Sequence, residues 1–267
     1  MTTSNSGPYL SPKYLEELVR QYQTTYRLGK PFPHVVIDNF LPTAVTEQLL
    51  DELSAMDAFD WQQLNGSLES RITGSRIGER KQRPTSQSQR SELTQHLLQQ
   101  LNSAPFINFL EKLTGTEGLL ANPHVESLGL QSLEPSSPFK IQVEFDRYGK
   151  PLDRKLTFLI YLNKNWKEEY GGHLELWNAE MTHCEKKILP IFNRCVIFST
   201  TEVSYYGHPE PLDCPEDETR KLLALYYYGN EQLKARSTAM PPNPPHSLRT
   251  HPSPKEIVKL ENNRAKI

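Results

Sequence analysis

The sequence predicts a mainly β fold with flanking α-helices, a sandwich or jelly roll over residues 139 to 229 preceded by helices, and three observations carry that reading. Helical spacing of apolar residues is confined to the first 113 residues. From Phe139 the period switches to two, with Phe139, Ile141, Val143 and Phe145 on one side and Lys140, Gln142 and Glu144 on the other. Short apolar runs then follow one another at the spacing of a β-sandwich or jelly roll.

Element by element, Ser11-Pro12 provides a helix cap and a first-turn proline, and Tyr14, Leu15, Leu18, Val19 and Tyr22 recur behind them at helical spacing. The β-branched run from Phe32 to Phe40 is a strand stopped by Asn39 and Pro42, and Ala44 to Met56 is a helix carrying Val45, Leu49, Leu50 and Leu53 on one face. Further helices are predicted from Ser91 to Leu101 and from Ala104 to Leu113. Strands are predicted at Phe139–Phe145, Leu156–Leu162, Leu174–Trp177 after the pair Gly171-Gly172, Arg194–Ser199 and Lys221–Tyr228. The division this implies is a helical extension over 1–30, a main domain over 31–230 and a proline-rich extension over 231–267.

With 267 residues the chain is long enough for one sizeable core. Thirty Lys and Arg against 32 Asp and Glu leave a formal charge of -2, with no overall attraction to nucleic acid or to an anionic membrane. No segment approaches the roughly 18 consecutive apolar residues of a membrane helix. Cys184, Cys195 and Cys214 have no CxxC spacing and cannot all pair, which fits a reducing compartment; a cytoplasmic protein is expected. Residues 71–90 are basic and polar, a loop that either holds an acidic partner or is simply solvated. Phosphate loops, GxSxG elbows and zinc-type clusters are missing from the sequence.

One long ordered set of motifs adds a family to this reading. Leu152-Asp153-Arg154-Lys155 through Tyr161-Leu162-Asn163, Trp166 through Trp177, Asn193 through Thr200, Gly207-His208-Pro209-Glu210-Pro211 and Leu225 through Tyr228 resemble the core of the 2-oxoglutarate and Fe(II) dependent dioxygenases of the prolyl 4-hydroxylase-like group. Weaker similarity covers Pro33–Asp38 and His246–Arg249. The resemblance implies a double-stranded β-helix (jelly roll) with N-terminal helices. It also implies Fe(II) and 2-oxoglutarate as cofactors, the iron held by a His-x-Asp pair on one strand and a His on a later one.

On this chain the His-x-Asp positions read Gln142-Val143-Glu144, and the later His position reads Tyr206. Arg220, 14 residues after Tyr206, matches the family's basic residue for 2-oxoglutarate, and Tyr161 matches a position near that cosubstrate. A neutral amide oxygen and a protonated phenol are poor Fe(II) ligands beside imidazole, so Glu144 is the strong anionic ligand left. The all-oxygen trio Gln142, Glu144 and Tyr206 suits Mg(II), Mn(II) or no metal.

Each position keeps a plainer alternative. His208 is either a displaced substitute ligand or a structural histidine in a turn framed by Gly207 and Pro209. Arg220 either binds a dicarboxylate as a planar guanidinium does, or pairs locally with Glu216, Asp217 or Glu218. Tyr161 is either a cosubstrate contact or a half-buried strand tyrosine, while Trp166 and Trp177 read as core or pocket wall, and Cys195 as a buried inert thiol. The expected protein is a divergent dioxygenase-like chain without ordinary hydroxylase activity, binding a small-molecule or peptide ligand in its pocket. The rivals are an active oxygenase with an atypical metal site and a non-oxidative enzyme using Glu144 and Tyr206 as base and acid. Specificity is expected in the loops 64–90 and 121–138.

Overall fold

Ser11 begins the first helix as its sequence requires: its side chain accepts a hydrogen bond from the Tyr14 amide at 3.3 Å, with Pro12 opening α1 (Pro12–Leu28). The structure is a computed structural model. It describes residues 8–60, 91–121, 129–133, 139–142, 147–148 and 152–229, with side chains for 8–54, 91–121 and 153–229. The basic loop 71–90 and the proline-rich tail lie outside the described residues.

Strand β1 (His34–Asp38) and α2 (Thr43–Asp60) follow α1, and then α3 (Glu92–Leu101) and α4 (Ala104–Thr114). The amphipathic spacing of α3 and α4 places Leu97, Leu98, Leu101, Phe106, Leu110 and Leu113 inside. Ser91 caps α3 through the Thr94 amide, and Glu52 of α2 accepts from the Ser91 amide at 3.0 Å and from both hydroxyls, of Ser91 and Thr94. Gly115 ends α4 in the left-handed conformation, at φ 76°, which a residue without a Cβ adopts cheaply.

The remaining strands are β2 (Gly129–Leu133), β3 (Phe139–Gln142), β4 (Arg147–Tyr148), β5 (Leu152–Tyr161), β6 (Leu174–Trp177), β7 (Cys184–Ile188), β8 (Arg194–Ser199), β9 (Tyr205–His208) and β10 (Arg220–Gly229). They form two antiparallel sheets. The larger runs β1-β8-β5-β10-β2, with β4 beside β5, and the smaller runs β3-β9-β6-β7. From β2 to β10 the chain crosses repeatedly between the sheets, remaining within one sheet at β4–β5 and at β6–β7, as in a double-stranded β-helix.

Two cores explain the sequence pattern. On the outer face of the larger sheet, Leu156, Phe158, Ile160, Leu223, Leu225 and Tyr227 pack against the helices. Between the sheets lie Leu159, Tyr161, Leu174, Leu176, Phe198 and Tyr206, among others. Central strands covered on both faces read as nearly unbroken apolar runs, which is why β5, β8 and β10 are visible in the sequence. Helix α1 shares the outer core through Leu15, Leu18 and Tyr26, and Tyr26 Oη is 2.7 Å from Ser199 Oγ on β8.

Four strands, β2, β4, β7 and β9, are not among those the sequence predicts; β4 is a two-residue strand paired with the start of β5. β2 falls within the span 121–138 expected to be loop. β7, Cys-Glu-Lys-Lys-Ile, is an edge strand whose middle residues face solvent, so it lacks the alternating apolar signal. β9 replaces the turn expected around Gly207 and His208: both residues are buried in the strand and Gly207 pairs with Glu175. The predicted strand Phe139–Phe145 is seen from Phe139 to Gln142, and residues 143–146 lie outside the described residues. Among the described residues, no helix is long and apolar enough to cross a membrane.

Candidate functional site

Strand alternation aims one side of β5 and β10 at the space between the sheets. Leu159 and Tyr161 of β5 and Leu222 and Ala224 of β10 belong to the inner core, and Leu222 lies directly opposite Tyr161. Arg220 stands two residues before Leu222, so it shares that face. The start of β10 is clamped by Asn163, which accepts from the Lys221 amide at 2.6 Å and donates to the Pro190 carbonyl at 2.6 Å.

Arg220 is 4% exposed. Its Nε donates to the Gly172 carbonyl at 2.8 Å and its Nη2 to the Tyr161 hydroxyl at 3.1 Å, with the guanidinium carbon 4.9 Å from the Tyr161 ring centroid. Gly172 makes this seat possible. Its φ is +65°, and a Cβ there would lie 2.5 Å from Leu212 Cδ2 and 3.1 Å from Arg220 Cδ. Among the described residues no carboxylate pairs with Arg220, so the local ion pair with Glu216, Asp217 or Glu218 is not made. Burial lowers the guanidinium pKa, opposed by Tyr161, and burial raises the Tyr161 pKa, opposed by Arg220. Both groups keep their usual forms at neutral pH.

Tyr161 is fully buried, not half-buried. Its hydroxyl accepts from Arg220 and so retains its own proton to donate. The pair thus combines a neutral donor, the Tyr161 hydroxyl, with a charged one, the Arg220 guanidinium.

Across the interior, Tyr206 on β9 is 5% exposed and packs edge-on against Phe198 with ring centroids 4.6 Å apart. Its backbone stands between Gln142 of β3 and Leu176 of β6. The i, i+2 spacing puts His208 on the same side of β9, and it is also buried, at 4% exposure. Burial holds the His208 pKa well below its ordinary value, with the Arg220 charge adding in the same direction. That imidazole is neutral at pH 7.

The structure therefore brings Tyr161, Arg220, Tyr206 and His208 to one interior and sets the Gln142 backbone beside Tyr206. Glu144 lies outside the described residues. Among the described residues no group of three or more His, Cys, Asp and Glu side chains is placed to hold a metal ion. Tyr206 is buried in the inner core and packs on Phe198, and a protonated phenol fits Fe(II) less well than an imidazole does.

Gly172, Asn163 and Phe198 are site residues the sequence reading did not single out. The Gly pair was visible, but the need for a carbonyl at Gly172 is a tertiary contact. The other residues considered have structural places. Trp166 donates to the Gly171 carbonyl at 3.0 Å, and Trp177 Nε1 donates to Glu175 at 2.9 Å. His173 Nε2 lies 2.9 Å from a Glu168 carboxylate oxygen, and Cys195 is fully buried with its pKa pushed well up by burial.

Comparison with known proteins agrees with this architecture. Residues 130–228 match the 2OG-Fe(II) oxygenase superfamily. A stretch of 105 residues is 28% identical to prolyl 3-hydroxylase OGFOD1 of Mus musculus, covering 37% of this chain and 19% of that protein. The matched stretch thus spans about a fifth of that relative's length. A prolyl 4-hydroxylase of Phytophthora capsici superposes with a TM-score of 0.57 at 17% identity, covering 85% of this chain and 68% of that one. A Trichoplax adhaerens prolyl hydroxylase, solved with a peptide from the oxygen degradation domain of hypoxia inducible factor, gives 0.54 at 17% identity, covering 88% and 99%. These similarities show a common fold. Together with the inner core and the motifs of the closing strands, these matches show that residues 130–228 are similar to the 2OG-Fe(II) oxygenase superfamily and that the chain shares the fold of these prolyl hydroxylases.

Proposed function

We propose that this oxygenase-like domain does not carry out ordinary Fe(II)/2-oxoglutarate hydroxylation and serves as a binding scaffold for a carboxylate-bearing small molecule or peptide. The observation that carries the reading is the contrast between Tyr206 and Arg220. At position 206, where the family resemblance expects an imidazole, a buried phenol packs on Phe198; at 220 the guanidinium is retained in a built seat without a carboxylate among the described residues. Gln142 and Glu144 change the other two ligand types.

Burying a cation costs several kcal/mol. A chain that had lost all use for the pocket would have no reason to keep Arg220 there, which favours a retained ligand. The proposed unit is the main domain over 31–230. Free Cys184, Cys195 and Cys214 suit a reducing compartment, so the cytoplasm is the proposed location.

The test is metal analysis after anaerobic Fe(II) loading, with 2-oxoglutarate decarboxylation measured on the same sample. Less than a tenth of an equivalent of iron (roughly, the level of adventitious binding) and no decarboxylation are expected. One iron per chain with turnover would sink the proposal. His208 supports the rival of an atypical metal site, because it faces the same interior as Tyr206. If that rival holds, iron binds to the natural chain and is lost in His208→Ala.

A further inference from the structure

We draw no further inference here: the strongest candidate, the apolar cleft between the start of α1 and the α3–α4 corner, lined by Leu10, Leu15, Pro105 and Phe106, carries nothing because nothing in the structure shows what covers it.

Discussion

Arg220 and Tyr161 hold one another inside the barrel, the guanidinium donating to the phenol at 3.1 Å from a position where neither side chain reaches bulk water. The pair joins β10 to β5, adjacent strands of the larger sheet. A cation kept this deep with a neutral partner is expensive, and that expense makes its replacement informative.

Arg220→Met sets two effects of similar size against each other. Apolar replacements of buried charged groups are often neutral or stabilising by about 1–4 kcal/mol, while loss of the hydrogen bonds to the Gly172 carbonyl and the Tyr161 hydroxyl costs about 1–3 kcal/mol. Stability should therefore stay within about 2 kcal/mol of the natural chain. Urea denaturation checks it. A loss beyond 3 kcal/mol would mean that Arg220 is a structural residue.

Gly172→Ala places a methyl group 2.5 Å from Leu212 Cδ2 at a φ of +65°. The strain and the crowding together should cost about 1–3 kcal/mol. Because the added atom also lies 3.1 Å from Arg220 Cδ, carboxylate affinity should fall with stability. Gly171→Ala provides the comparison: it shares the positive φ, but its nearest contact is 3.8 Å away, so its cost should be the smaller.

Tyr206→Ala removes a ring packed on Phe198 from the inner core, and truncation of buried aromatics costs about 3–5 kcal/mol. Tyr206→Phe keeps the ring and should cost no more than about 1.5 kcal/mol. A thermal or denaturant unfolding series separates the two. Equal stability of the alanine and phenylalanine variants would show that the ring does not fill the core.

His34 gives the expected acid sensitivity. Burial lowers its pKa, the bond to the Phe32 carbonyl opposes this, and Lys186 adds to the lowering. The unfolded chain then takes up the proton first, near pH 6.5, so stability is full above that pH and falls as pH drops below it. The slope is at most about 1.4 kcal/mol per pH unit for this one site. His208 shifts in the same direction and contributes to the same window. Unfolding curves between pH 7.5 and 5, on the order of the histidine range, should show a shallower loss for His34→Gln than for the natural chain.

Much of the larger sheet could be read from residues alone. β5, β8 and β10 are central strands buried on two faces, and such burial demands apolar residues at nearly every position. α1, α3 and α4 were equally legible, through the Ser11 and Ser91 caps and one-sided apolar spacing. β7 and β9 were not. An edge strand of Glu and Lys and a short strand of Tyr-Tyr-Gly-His acquire their conformation from the β6 backbone between them, which leaves little trace in local sequence.

The sequence by itself determined the helical and strand classes, the family resemblance and the identities at 142, 144, 206 and 220, because these depend on residue type and spacing. It also offered Arg220 as an anion-binding residue or a local ion pair, favouring the first. Only the tertiary structure decided that the local ion pair is not made among the described residues. The choice depends on which groups from distant segments meet the guanidinium, and here they are a carbonyl made accessible by a glycine 48 residues away and a phenol 59 residues away. Such meetings are fixed by the closure of the barrel, which brings the Gly171-Gly172 segment and the end of β5 against the start of β10.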